Sequence, residues 1–592
     1  MVMGGRHGLT RKPRAVGIMT IFLGFCLVSS LWLTLYSIVR ARHLSVEEPL
    51  DFTSGLQNCQ DAKISKLVAL SLQDPTLGGL LPALKEYEPG QCISRTEEGP
   101  IRIPSRFTPS PYLVAKLRLY ENRHRKCAPK AVKLSKNGTN SRKELGDCQF
   151  VIWIGNSGLG NRMITILSAF VYALLTDRVL LLDNTSTDID GLFCEPFPGT
   201  SWLLPENYDY NWMNTVTWEN TNRLGRLLQM SGFGNITIPS PVPNDYIFLN
   251  LMHDYDEHDR RFFCSRIQKQ LKKVSLLYWR SNNYVVPGLH FDHSFHCKLD
   301  LMFPERATAF HHMARYLFRP SNSMWGMILR FRQPYLDGAR RQVGLQVRIL
   351  ESNVTIPIVA DQRARPPDLL KHRSSSYETL IPSFRDFQLL ACVLEKEILP
   401  KGSSSAEDML LSSKTRSTSV LVTSLDSAYY ETLRNYYLEH PVEGTDYIGV
   451  YSPSEELYQQ YGSDHDKKAW ADMYLLSLSN TLVTSPRSTF GYVAQALAGV
   501  IPWFLTKIDS LETANETFQA HGPCNRGVSL EPCFHAPPAL DCEGYGNGLN
   551  SSNIFSFIKP CEDVIGGIKI MPSYANDITA EGKTESRSER KT

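Results

Sequence analysis

Two turns, two strand ends and a scatter of acids carry the residues that could do chemistry in this chain. Gly155-Asn-Ser-Gly-Leu-Gly160 follows an apolar, β-branched run, Phe150–Ile154, and precedes a helical pattern from about Asn161 to Thr176. Glycines at a strand-to-helix turn allow close backbone approach, and a helix N-terminus favours an anion. Gly160, Asn161 and Arg162 stand in that first turn, where the Arg162 guanidinium could be aimed at a phosphate. A second turn of the same kind is Ser488-Thr489-Phe490, whose hydroxyls can cap the next helix and, with free amides, hold phosphate. Arg348 ends a strand candidate, Gly344-Leu-Gln-Val-Arg348, at the edge where parallel sheets place ligands. Asp472 could accept a hydrogen bond from a ribose, a base or an ordered arginine. Ser424 and Asp426, just past another strand, could meet a nucleoside. Asp188-Ile-Asp190, Asp254-Tyr-Asp256 and Asp464-His-Asp466 fit the minimal Asp-x-Asp pattern of Mn²⁺ or Mg²⁺ sites. Three such pairs in 592 residues are within chance, and no metal is expected. Each feature also has a plain structural explanation: an ordinary turn, a helix cap, a solvated carboxylate.

Those residues need elements to hold them. The helix after Gly160 is apolar almost all round, which marks it as buried, and a strand at Val179–Asp183 completes a β-α-β unit. Further strands are expected at Asp245–Leu251 and Val274–Trp279, and helices at Glu305–Phe318 and Met324–Phe331. From Val343 the alternation becomes regular. Strands are expected at Val343–Ile349, Ser419–Thr423, Tyr447–Tyr451 and Thr481–Thr484, and helices at Phe384–Ile398, Ala428–Tyr437, Asp466–Leu478 and Ser488–Leu497. This pattern predicts an α/β protein with doubly wound parallel sheets that bind ligands at their carboxyl ends. The length asks for more than one domain, and the division is placed at 76–342 and 343–575. The Ser-rich stretch Lys401–Thr418 reads as a surface loop, and residues 576–592 as a disordered tail.

Composition narrows the class. A net charge of +3 gives no case for nucleic acid, and 42% hydrophobic with 21% charged residues is ordinary for a globular protein. Ala15–Val39 holds about 25 residues without a charge, enough for one membrane-spanning helix. Arg6, Arg11, Lys12 and Arg14 precede it, which favours a cytosolic tail at 1–14 and a lumenal body behind a stem at 40–75. Of 13 cysteines, Cys26 lies in the span, and Cys524, Cys533, Cys542 and Cys561 cluster late, as disulfide staples do in an oxidising lumen. No Cys-x-x-Cys pair supports zinc. Cys392, in an apolar helical run, reads as a free core thiol. Asn137, Asn184, Asn235, Asn353, Asn515 and Asn550 each open a glycosylation sequon.

Longer blocks say more. GLGNRM, SAFVYALLTDRVLLLD, FCEPFPGTSWLLP, MHDYDEHDRRFFC, FHHMARYLFRPSNSMWG, GLQVRIL and STFGYVAQALAG strongly resemble the plant xyloglucan fucosyltransferase family, the galactoside 2-α-L-fucosyltransferases of the Golgi. The resemblance runs from about Leu77 to Trp503. It implies two Rossmann-like domains facing a cleft, a variant of the GT-B glycosyltransferase fold, behind one transmembrane helix in the Golgi membrane. It implies an inverting transfer of L-fucose from GDP-β-L-fucose to O2 of a galactose on a cell-wall glycan, xyloglucan or arabinogalactan. No cofactor or metal is implied; a homodimer or a transferase complex fits.

The resemblance gives Arg348 the central role, because departing GDP gains negative charge that a fixed guanidinium can stabilise in a bidentate way. Gln346 stands where related families often carry histidine, so no histidine role is carried over. Asn282 stands where relatives often carry aspartate. Asparagine takes no proton, so Asn282, His253 and Asp256 are expected to orient the acceptor, and no base is assigned. Two rival readings stay open: a metal-dependent transferase using another sugar nucleotide, and a non-catalytic Golgi glycan-binding or scaffold subunit that kept the fold.

Overall fold

The computed structural model describes residues 76–572 apart from 135–144, 186, 206–207, 209–216, 231–237, 239–245, 349–379, 400–415, 441, 443–445, 454–461, 508–516, 518–519 and 539–554. The expected transmembrane span, stem and tail lie outside the described residues, as do Asn137, Asn235, Asn353, Asn515, Asn550 and most of the Ser-rich stretch.

The longest apolar runs build the first sheet. β1 (Phe150–Ile154), β2 (Val179–Leu182), β3 (Tyr246–Leu251) and β4 (Leu276–Ser281) lie in the order β2-β1-β4-β3, all parallel. Every residue of β1 and β2 is buried, because both faces of the sheet are covered; hence the unbroken apolar runs in place of alternation. The second sheet comprises β5 (Arg341–Val347), β6 (Arg416–Ser424), β7 (Asp446–Tyr451), β8 (Thr481–Thr484), β9 (Trp503–Leu505) and β10 (Cys524–Arg526). Its order is β10-β9-β8-β5-β6-β7, parallel except for β10. From β5 the chain winds outward to β6 and β7, then returns to the other side of β5 as β8. The strand order therefore reverses between β5 and β8, and a doubly wound sheet opens a crevice at the carboxyl ends of such a pair. Two short strands, β11 (Ile558–Pro560) and β12 (Ile568–Ile570), form a separate hairpin.

The helices that bear on the site are α1 (Pro111–Cys127), α2 (Leu159–Thr176), α3 (Ala309–Leu317), α4 (Asn322–Tyr335), α5 (Leu380–Glu395), α6 (Ala428–Glu439), α7 (Ser463–Leu476) and α8 (Thr489–Ala498). α2 is long and apolar enough to cross a membrane, yet 89% of it is buried within the protein. Sheet one covers one side of it, and α1, α3, α7, α8 and the shorter helices Val286–Leu289 and His293–Met302 pack on the rest. α1 was not expected. Its Ser110 cap accepts from the Leu113 N–H at 3.0 Å, and Pro111 follows at the first position. Between many Arg and Lys residues it buries a stripe of Leu113, Leu117, Tyr120 and His124.

Disulfides join Cys92 to Cys194, Cys127 to Cys148, Cys392 to Cys524 and Cys533 to Cys561; Cys264 and Cys297 are disulfide-bonded as well. Cys392 is therefore not a free thiol. The apolar face of α5 that looked like simple core sets it 5.5 Å, Cα to Cα, from Cys524 on the added strand β10. Beyond β10 the chain returns to the first half. The Phe534 ring packs at a tilt against Phe263, and the Tyr255 hydroxyl donates to the Ala536 carbonyl at 2.7 Å. Buried Glu531 takes the Tyr284 hydroxyl and, at 2.8 Å, the Phe310 N–H. Burial pushes its carboxyl up to about 7.

Candidate functional site

Two helix N-termini touch. A β-carbon built on Gly160, in the first turn of α2, would lie 2.7 Å from the Thr489 hydroxyl and 2.9 Å from the Phe490 amide nitrogen, at the start of α8. The close approach of the opposing helix therefore requires glycine at position 160. Gly158 caps α2 without a side-chain bond, whereas the Ser488 hydroxyl accepts from the Gly491 N–H at 3.4 Å. Each turn holds a non-glycine residue in left-handed backbone just before its cap: Ser157 with φ 65° and Arg487 with φ 59°. Such a residue costs of order 1 kcal/mol and persists only where its surroundings impose it. Two positive dipole ends therefore converge, a setting suited to an anion. Asn161 is half-buried beside this contact and its side chain has no partner among the described residues.

Arg348 sits at the switch point. Its N–H donates to Ser485 Oγ at 2.8 Å, joining the ends of β5 and β8, and its side chain is half-buried there. The Ser485 N–H donates to the Gln346 carbonyl at 3.0 Å and lies 3.4 Å from Gln346 Oε1. Gln346 is only 5% exposed, so it ties the two strand ends together behind Arg348. Ser424 pairs in register with Val347, at the same edge. Its hydroxyl accepts from the Asp426 N–H at 3.1 Å, and Asp426 accepts from the Ala428 N–H at 3.0 Å, so both shape the turn into α6. Asp472 is buried on α7, one turn before Leu476, which packs beside Gly344. One helical turn spans the rise of almost two strand residues, which sets Asp472 near the level of Gln346. Arg348, Ser485, Ser488, Thr489, Phe490, Gly160 and Asn161 are thus gathered around one contact.

Other expected residues are taken by the protein itself. Arg162 does not offer its guanidinium to a phosphate: it is 7% exposed, pairs with Asp466 of α7 at 2.6 Å and donates from Nε to the Ser157 carbonyl at 2.8 Å. The helix rotates it inward because Leu159 and Met163 bury the same side. Asp256 is held by the protein's own groups. It caps the short helix Glu257–Arg260 through the His258 and Asp259 amides and pairs with Arg223 at 2.9 Å. Asp466 is spent on Arg162, and Asp188 on the Gly191 N–H, Ser463 and Lys467. Asn184 is half-buried, its amide donating to Asp190 at 2.9 Å and its oxygen accepting from the Ile189 N–H at 2.7 Å. His253 and Asn282, just past β3 and β4, are bonded to each other twice, at 2.9 and 2.8 Å.

Sequence reasoning missed a group behind the α8 turn. The Tyr492 hydroxyl donates to buried Asp563, which also accepts from the Arg487 N–H at 3.2 Å, and His535 Nε2 reaches the Tyr492 oxygen at 3.2 Å. Burial, with help from Arg487 and His253 and against Asp563, holds His535 down to about 4. Because the Tyr492 hydroxyl donates to Asp563, its oxygen is left to accept from His535 Nε2. Burial and Asp563 raise the Tyr492 hydroxyl well above its ordinary value. Three distant segments meet here through the Cys533–Cys561 disulfide, and no local pattern marks them. Cys533, Cys561 and Asp563 lie close enough together to suggest a metal site, but the two sulfurs are bonded to each other and offer no thiolate.

An α/β fold that brings two helix N-termini together beside a switch-point arginine belongs to the class that handles phosphorylated ligands. Residues 53–543 match the xyloglucan fucosyltransferase family, and the chain belongs to that family. It is 38% identical over 506 residues to a galactoside 2-alpha-L-fucosyltransferase of Pisum sativum, spanning 84% of this chain and 82% of that one. It is 40% identical over 514 residues to probable fucosyltransferase 8 of Arabidopsis thaliana, spanning 85% and 92%. A solved structure of a lysine-for-arginine mutant of Arabidopsis thaliana FUT1 in complex with GDP is similar at a TM-score of 0.69 and 36% identity. That match spans 84% of this chain and 100% of the other.

Proposed function

We propose that this chain is an inverting galactoside 2-α-L-fucosyltransferase of plant cell-wall synthesis, moving L-fucose from GDP-β-L-fucose to O2 of a galactose on xyloglucan or an arabinogalactan glycan. The names of its relatives and the GDP bound to one of them support the reading. The observation that carries it is Arg348 at the switch point, held by Ser485 beside two opposed helix N-termini. On this reading the two halves form a variant GT-B fold with the donor at the carboxyl edge of the second sheet. The acceptor oxygen bonds to C1 of fucose as the C1–phosphate oxygen bond breaks, and the acceptor's proton passes to solvent. The charge left on the β-phosphate is met by the Arg348 fork and the amides and hydroxyls of Ser488 and Thr489. Ser424, Asp426, Gln346 and Asp472 then shape the donor pocket; Asn161 touches the donor directly. No divalent cation is needed in this scheme. The segment 15–39 anchors the protein in the Golgi membrane with its catalytic body in the lumen, alone or as a dimer or a transferase complex.

Arg348→Ala should cut transfer by about a hundredfold to a thousandfold, the usual worth of a charge-stabilising donor, with the melting temperature unchanged. Arg348→Lys should be nearly as poor, since an ammonium lacks the planar fork. Labelled GDP-fucose and a galactosylated xyloglucan measure this, with and without a chelator. Near-native transfer by Arg348→Ala would move the donor site elsewhere, and loss of wild-type transfer in chelator would put a cation into the mechanism.

A further inference from the structure

Resting on that reading, we propose that His253 is a hydrogen-bond donor to the acceptor sugar, set in that role by Asn282, and that it is not the base. Which atoms can donate fixes the ring's hydrogen. A backbone N–H only donates, so the Asn282 atom 2.9 Å from the His253 amide is the carboxamide oxygen. The other terminal atom of Asn282 is then its nitrogen, and it lies 2.8 Å from His253 Nδ1. An amide nitrogen also only donates, so Nδ1 must present its lone pair. In the neutral ring the hydrogen therefore sits on Nε2. The tautomer is fixed by a bond to the main chain, without any appeal to the ring's own surroundings.

Location gives the tautomer a use. His253 is exposed and follows β3; Asn282 is half-buried and follows β4, the neighbouring strand, with Leu251 and Ser281 in register. Both stand at the carboxyl edge of the first sheet. His253 lies two residues before Tyr255, whose hydroxyl donates to the Ala536 carbonyl; the preceding residue, His535, is bonded through Nε2 to Tyr492 in the first turn of α8. That is the turn opened by Ser488. Asp254 and Arg280 are the other charged groups beside the pair, and they act on each other. An Nε2–H in this place can meet a hydroxyl or ring oxygen of the acceptor galactose. It has no lone pair with which to take the proton of O2, and a proton added at Nδ1 would face the hydrogens of the Asn282 amide. An aspartate at 282 would reverse the polarity: its carboxylate would draw the hydrogen to Nδ1 and free the Nε2 lone pair.

The full-length protein tests this in two ways. Calorimetry with a galactosylated xyloglucan oligosaccharide and GDP measures acceptor binding without turnover. His253→Ala should weaken that binding, and raise the acceptor KM, about tenfold, the worth of one hydrogen bond, with kcat and the GDP-fucose KM within about threefold. His253→Gln, which keeps a donor, should recover most of the loss. Unchanged acceptor binding in His253→Ala, or a hundredfold fall in kcat at constant acceptor KM, would overturn the proposal. Nitrogen NMR of histidine-labelled protein should find His253 Nδ1 bare and Nε2 protonated, and Asn282→Asp should exchange the two. The opposite assignment in the wild type overturns the proposal even if the protein transfers nothing. Absence of transfer with intact acceptor binding would instead bring down the proposed function.

Discussion

In the turn Gly155–Gly160 the cap is a glycine, the left-handed residue is Ser157, and the one cation, Arg162, is used up inside the protein on Asp466 and the Ser157 carbonyl. In the turn Ser485–Phe490 the cap is a hydroxyl, the left-handed residue is Arg487, and the neighbouring Arg348 donates its backbone N–H to Ser485. The second turn is also strapped from behind, by Asp563 on the Arg487 N–H and by Tyr492 on Asp563. So the glycine-rich turn, which looks more like a ligand loop, makes room for another helix. On the proposed reading the hydroxyl-rich turn supplies most of the hydrogen-bond donors to phosphate. Glycine marks close approach; it does not say what approaches.

The comparison can be broken at three points. The largest effect should come from Arg162→Ala, which leaves Asp466 buried without a partner and should cost about 3–5 kcal/mol of stability. Replacing both, Arg162→Met with Asp466→Leu, should restore most of that and leave GDP affinity within about threefold. A folded double variant that no longer binds GDP would return Arg162 to the donor site. Next, Gly160→Ala forces a methyl into the Thr489–Phe490 contact, where backbone has to move. Overpacking of this kind costs about 1–3 kcal/mol, and the displaced turn should lower transfer about a hundredfold. Transfer within a factor of two would mean that the two helix N-termini need not meet. The smallest effect should follow Asp563→Ala. It frees the Arg487 N–H and the Tyr492 hydroxyl and should cost about 1–2 kcal/mol, with GDP binding weakened a few-fold. Thermal unfolding and GDP titration would show it, and unchanged GDP affinity would reduce the strap to a support for the fold alone.

Much of this arrangement was legible in the residues. The strands Phe150–Ile154 and Thr481–Thr484 and the helix behind Gly160 lie where an apolar period and flanking turn residues set them. Arg348 stands at the end of its strand, as the Gly344–Arg348 run implies. What escaped depended on long-range partners. α1 buries a narrow stripe beneath a heavily basic surface, so its helical pattern is weak until its cap and packing are known. Cys392 looked like core because its partner is 132 residues away. Arg162 and Asp256 looked like ligand residues because their partners, Asp466 and Arg223, are far off in the chain as well.

The sequence by itself determined the α/β class, the regular elements, the position of Arg348 and the family, because periodicity and long ungapped blocks are local properties of the chain. Only the tertiary structure decided which charges are free. A carboxylate or guanidinium is available to a ligand when no buried partner has claimed it, and whether Arg162 meets Asp466, Asp563 meets Tyr492 or Asn282 sets the His253 tautomer depends on how distant segments pack.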